Sequence, residues 1–466
     1  MTRTYRPLAA LAAAAAALTL TTSATAAPTV DEPKSPLGLN WTQGTPVAVA
    51  AGVTHTTWTE TTLDNRAKAR ILQVVEIDPA VSAVTLESIV GTSDAARETV
   101  AAQLSGVSSV ADRHPYAGTN GGLFQREPTP IRGEENAVHT SVSATDGVLH
   151  SSSCWSGGKG SSGAVIQYGI PYVTKLRTEL SLTAPSGETV RLDDINRAPG
   201  RAPHCARDER DARVSTTPPV YTDPDEIIAF TDDYGRPVPG VGTDPSVEAT
   251  KDQGFEVVVD AHGVVTEARE GRGGTTVPVG GRVLQGIGTG ADWLRAHLVR
   301  DDKITVGQKL HDVTLGREIP LDASVDVVSS FHELLRHGQI PTALPNSCSG
   351  SGTEKGTDGT NLICTDSRTA LGTNVRGNPV LITLTGQDNE DGEYLGAFAA
   401  LLDSQELALV DVLNLDGGGS TTLMTGTVVR TPPTNLDEAS ADGVKVHRQV
   451  GDAVYAGVGG YGMYAK

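Results

Sequence analysis

From Arg368 to Ser420 the chain sets out three extended runs, one helical run and a glycine turn, and this ordered passage limits the fold more than any other. Arg368 to Gly372 and Val380 to Thr385 read as a hairpin around the turn Arg376-Gly377-Asn378-Pro379. Tyr394 to Leu407 has helical spacing, with Leu395, Phe398, Leu401 and Leu402 on one face. A strand, Leu409 to Asp416, follows and runs directly into Gly417-Gly418-Gly419. Earlier, Arg70 to Ile77 and Val81 to Ile89 alternate or are β-branched, as strands do, and Thr92 to Ala111 has helical spacing up to Pro115. With only 4% aromatic residues and 52 glycines, the composition favours short strands and turns over helical bundles. The expected fold is α+β: a large mixed or antiparallel sheet with a few packed helices and disulfides.

The N-terminus determines where that fold forms. Arg3 and Arg6 precede an apolar run from Leu8 to Leu20 and the small residues Ala24-Thr25-Ala26-Ala27, the pattern of a signal peptide. The run is shorter than the roughly 20 residues that cross a bilayer, so residues 1–27 are expected to be removed near Ala26 or Ala27 and the chain secreted without integral membrane association. Residues 28–46 read as a flexible leader and 47–466 as the folded domain. Loss of Arg3 and Arg6 leaves 35 basic and 56 acidic residues, a net charge of −21. That field argues against a nucleic-acid partner, and a polyanionic substrate would need a locally basic site. The four cysteines, Cys154, Cys205, Cys348 and Cys364, are expected to form two disulfides in an exported chain. Three pairings are open; Cys348 with Cys364 and Cys154 with Cys205 is the favoured one. A zinc site lacks the spacing it needs.

Three segments carry candidate chemistry. In Asn414-Leu415-Asp416-Gly417-Gly418-Gly419-Ser420, strand alternation places Asn414 and Asp416 on one face and Leu413 and Leu415 on the other. A carboxylate at a strand end beside three glycines admits a ligand to the backbone, with Ser420 and Thr421 adding hydroxyls; a tight turn capped by Asp416 is the plainer alternative. Asn120-Gly121-Gly122, between extended runs, is on its own a hairpin turn. In Arg368-Thr369-Ala370-Leu371-Gly372, the Arg368 fork suits bidentate binding of phosphate, against the commoner surface salt bridge. Other segments read as structural. Gly286-Ile287-Gly288-Thr289-Gly290-Ala291 fits a dinucleotide fingerprint without the surrounding βαβ unit, and 388–391 is acidic without calcium-loop spacing. Asn196 to Asp225, polar and proline-containing, reads as a surface loop fastened by Cys205.

Taken in order, the three motifs resemble the phosphodiester glycosidase family: Asn120 to Phe124 after a helix, Arg368 to Gly372 in a strand, and Asn414 to Ser420 at the turn. The resemblance runs from about Val47 to the C-terminus. It departs at Asp391 to Gly396, where the helix start differs, and in the insert that holds Cys348 and Cys364. It implies hydrolysis of a sugar C1–oxygen bond whose leaving group is a phosphate monoester, so the partner is a phosphate-linked carbohydrate and no cofactor or metal is called for. Because that group leaves readily, the site has to stabilise an oxocarbenium-like centre and hold phosphate more than supply a strong acid. Asp416, Arg368 and Asn120 are the implied catalytic residues. Asp416 is nucleophile or base and Arg368 the phosphate holder. Gly121, Gly122, Thr369, Asn414, Gly417, Gly418, Gly419, Ser420, Thr421 and Arg448 are the implied substrate contacts. Two other readings remain: a non-catalytic glycan- or wall-binding protein, and a hydrolase of ordinary glycosidic bonds.

Overall fold

The structure, a computed structural model, describes residues 37, 40–61, 69–81, 83–108, 114–129, 135–216, 219–341, 344, 365–386, 392–433 and 443–458. The signal peptide, the Cys348–Cys364 pairing and the acidic run at 388–391 lie outside them.

Every residue of Pro379–Thr385, and all but one of Arg368–Asn374, is buried, so these two strands lie covered on both faces. They pair antiparallel, as the hairpin pattern predicts. Around them runs an antiparallel sheet in the order Trp41–Gln43, Val53–Glu60, Ile71–Ile77, Pro379–Thr385, Arg368–Asn374, Leu409–Asn414, Glu333–Leu335, with Val47–Ala50 beside Val53–Glu60. Alternation splits the central strand between two cores. Ala370 joins the cluster that takes Leu395, Phe398, Ala399 and Leu402 from the helix Leu395–Leu402. Leu371 points the other way, to Ala164, Val328, Leu413, Leu415 and Val454. Each fully buried Leu or Phe stabilises the layer by about 1.5–3 kcal/mol.

Among the described residues the strands form six sheets and there are three α-helices, so the α+β expectation holds with several sheets in place of one. A second eight-stranded sheet centres on Ser161–Gln167 and Ile170–Thr183, and a five-stranded sheet contains the parallel pair Asp194–Ile195 and Ile227–Thr231. A further five-stranded sheet brings His114–Asn120 between Leu423–Thr425 and Ala453–Val458. It joins an early segment of the chain to the residues after the triple glycine.

Several local expectations are corrected. The end of the expected leader is built into the sheet: Trp41–Gln43 pairs with Val53–Glu60, and Trp41 is buried with the Arg70 guanidinium 5.6 Å above its ring. The first helix is confined to Val100–Ser108, because Asp94 and Ala95 are drawn into the interior instead of starting it. Asn120-Gly121 is not a hairpin turn. The strands on either side, His114–Asn120 and Phe124–Pro128, belong to different sheets and find other partners. Residues 196–225 are not a surface loop. Three short strands run through them, and Arg197 is wholly buried between Asp194 (2.7 Å) and Glu226, with Arg207 also on Asp194 at 2.6 Å. Opposite charges that satisfy one another can enter an interior that neither would enter alone. The Cys154–Cys205 disulfide is present. Gly286 and Gly288 lead into the helix Gly288–His297 as structural elements.

Candidate active site

Asp416 follows the strand Leu409–Asn414, where the chain turns into a short 3₁₀ segment, Gly418–Ser420. Gly418 takes φ +59°, a left-handed conformation that costs a side-chain-bearing residue, and its amide reaches the Ser367 carbonyl at 2.8 Å. Gly419 matters for a different reason. A methyl there would lie 2.7 Å from Nη2 of Arg448, so the guanidinium rests on the bare α-carbon.

That contact organises the exposed side of the site. Arg448 donates from Nη1 to the Ser420 hydroxyl at 3.3 Å, and Ser420 in turn donates to the Asp416 carboxylate. The Gly417 amide adds a bond to Asp416 Oδ1 at 2.9 Å. Burial nevertheless dominates the carboxyl and pushes its pKa up to about 6. The Arg448 charge, Ser420 and the Gly417 amide pull it down, and Asp452 raises it further.

Behind the turn lies a buried clasp. Asn120 donates from Nδ2 to the Asp416 carbonyl at 2.7 Å. Its Oδ1 accepts from the Thr369 hydroxyl at 2.9 Å and the Thr422 amide at 3.1 Å. Thr369 reaches Thr421 at 3.2 Å, and the Asp416 amide donates to the Gly121 carbonyl at 3.1 Å. Motifs some 250 and 300 positions apart are thus bonded directly. Asn120, Thr369, Asn414 and Thr421 are all buried, with Asn414 donating to the Leu415 carbonyl. They hold the backbone of the site.

Arg368 is 1% exposed and faces the helix side, donating from Nε to the Glu393 carbonyl at 2.9 Å. Its Nη1 lies 3.8 Å from where a methyl on Gly417 would stand, directly under the turn. Burial pushes its pKa down to about 10, against the opposing charges of Asp366 and Glu393, and it stays cationic at neutral pH. Asp416 therefore lies beside Arg448 and Asp452, while Arg368 lies beneath Gly417 among the charges of Asp366 and Glu393.

The motifs do not reveal Asp452. It sits on the other side of the Asn120 turn: Gly121 donates to its carbonyl at 3.0 Å and the Gly122 amide to its carboxylate. A methyl on Gly121 would lie 2.5 Å from Asp452 Oδ1 and one on Gly122 2.6 Å from the Ser329 carbonyl, which accounts for both glycines. Sequence spacing gives no hint of this, since Asp452 is remote from every motif but the last.

Residues 253–456 match the phosphodiester glycosidase family. The matched stretch contains Arg368, Asp416, Arg448 and Asp452, while Asn120 and its glycines stand before it. The resemblance drawn from the motifs is thus shared by the family's own pattern. No curated protein matches the chain. Among solved structures it is similar to a candidate exported protein from Burkholderia pseudomallei K96243, with TM-score 0.71 and 20% identity, over 91% of this chain and 98% of that one. It is also similar to a hypothetical protein from Synechocystis, with TM-score 0.56 and 16% identity, over 87% and 62%. At these identities the likeness is one of fold. The catalytic domain of zebrafish N-acetylglucosamine-1-phosphodiester alpha-N-acetylglucosaminidase aligns loosely, with TM-score 0.38 and 12% identity, over 89% and 87%.

Proposed function

We propose that this chain is a secreted hydrolase that cleaves the sugar C1–oxygen bond of glycosyl-1-phosphodiesters in envelope or extracellular glycans. The observation that carries the reading is the Asp416 carboxylate bonded by Ser420, which itself accepts from Arg448, with the Arg368 guanidinium beneath the same turn. Two cations beside one carboxylate suit a substrate that carries phosphate next to an anomeric carbon. As the C1–oxygen bond breaks, its electron pair passes to the phosphate oxygen, where the guanidinium charges stabilise it. Asp416 meets the positive charge developing at C1, as nucleophile or as base for water, and water supplies the new hydroxyl.

Export is supported by the basic, apolar and small-residue order of residues 1–27 and by a disulfide of the kind that persists outside the cytoplasm. No helix among the described residues is long and apolar enough to cross a membrane.

Asp416→Asn keeps the size and removes the charge, so kcat on a glycosyl-1-phosphodiester is expected to fall on the order of 10³-fold or more while the near-ultraviolet spectrum stays native. Retention of most activity in a folded Asp416→Asn protein would contradict the assignment.

A further inference from the structure

Beneath the Asn120-Gly121-Gly122 turn four titratable side chains from separate elements meet. Asp452 precedes the strand Ala453–Val458, His139 ends Glu135–His139, His150 lies in Val148–Ser151, and Asp94 sits in the turn before Val100–Ser108. All four are 2–3% exposed. The His139 ring spans two carboxylates, with Nε2 2.9 Å from Asp94 Oδ1 and Nδ1 3.9 Å from Asp452 Oδ2. His150 Nδ1 stands 3.7 Å from the same Asp94 oxygen.

We propose that Asp452 is a positioning residue for the reaction, and that His139, clamped between Asp452 and Asp94, fixes it against the turn to which Asp416 is bonded. The geometry makes the link in two steps. Gly121 donates its amide to the Asp452 carbonyl and accepts the Asp416 amide on its own carbonyl. Asn120 holds the Asp416 carbonyl, and the Gly122 amide holds the Asp452 carboxylate. One three-residue turn therefore ties both aspartates, and a displaced Asp452 would loosen the backbone that presents Asp416.

The charges act in the same direction. Around Asp416 are Arg448, Ser420 and Asp452, with Arg368 under Gly417; around Asp452 are His139, His150 and Asp94, with Asp194 and Asp233 farther out. Burial raises Asp452, as it raises Asp416, and ionised Asp452 discourages ionisation of Asp416. Burial alone would lower His139; its contact with Asp94 and the Asp94 and Asp452 charges overcome it and raise the ring above its ordinary value. His150, lowered by burial, is the neutral ring below.

The inference deepens the proposed activity and rests on it for the meaning of the reaction, yet its first test needs no substrate. In the full chain labelled with carboxyl-¹³C aspartate, and with Asp416→Asn used to assign the resonance, Asp452→Asn is expected to move the Asp416 titration midpoint down. Asp452→Ser, which keeps an oxygen acceptor and removes the charge, is expected to do the same and serves as the second charge-free variant. His139→Gln is expected to raise the Asp452 midpoint. With substrate, Asp452→Asn should lower kcat far more than it alters KM and shift the acid limb of the kcat profile by the same interval. An unmoved Asp416 midpoint in a folded charge-free variant, or an unmoved Asp452 midpoint in His139→Gln, would overturn the inference. Absence of turnover alone would count against the activity and leave the titration result standing.

Discussion

Single glycines of the site are replaceable to different degrees, and the surroundings of each α-carbon decide how. The methyl of Gly419→Ala would meet the tip of a flexible side chain, Arg448, which can withdraw. The expected outcome is a several-fold rise in KM for the phosphodiester, with melting temperature nearly unchanged. The methyl of Gly122→Ala would meet the backbone carbonyl of Ser329, which cannot withdraw, so a loss of about 1–3 kcal/mol in urea unfolding is expected. At this scale the sequence was most informative where chemistry was compressed into one stretch. Asp416, its glycines and Ser420 are neighbours in the chain, and strand alternation correctly sent Leu413 and Leu415 to the opposite core. It gave no sign that Asn120, Thr369 and Asn414 clasp backbone and one another, because a polar residue beside a site looks the same whether it faces substrate or clasps backbone. Asp94, His139, His150 and Asp452 were illegible, since no spacing connects residues that meet only across sheets.

Elements built on apolar periodicity were read well, and those stabilised by polar partnership were not. The hairpin from Arg368 and the strand into the triple glycine formed as their patterns require. The helix between them stops at Leu402, short of Leu407, because Asp403 leaves helical geometry and the apolar face has already been buried. The polar stretch from Asn196 was mistaken for a surface loop, since sequence lists its charges without showing that they pair. That pairing has a measurable consequence. Arg197→Met leaves Asp194 and Glu226 buried with less compensation, and a loss of about 3–5 kcal/mol in denaturant unfolding is expected. A loss below about 1 kcal/mol would mean that water reaches the cluster.

Across the whole molecule, buried carboxyls set how stability depends on pH. Burial raises Asp193 to about 7 and Asp416 to about 6, and raises Asp452 and Asp326 as well. Groups raised in the folded state bind protons on folding, so their contribution is full below the ordinary carboxyl range and is lost as pH rises through 6 to 7. Asp194 runs the other way. Burial opposes its charge, but Arg207 and Arg197 hold its pKa well below the ordinary value, so its contribution is present above about pH 4 and lost in stronger acid. A melting temperature highest at about pH 4 to 5, falling as pH rises to about 7, is therefore expected from calorimetry. The net charge of −19 adds self-repulsion on the alkaline side. The most direct measurement of the central claim is hydrolysis of a glycosyl-1-phosphodiester in ¹⁸O-water, with mass analysis of both products. Cleavage at C1 beside Asp416 predicts free sugar carrying ¹⁸O at C1 and an unlabelled phosphate monoester. Label on phosphorus, or no product from the folded full chain, would contradict it.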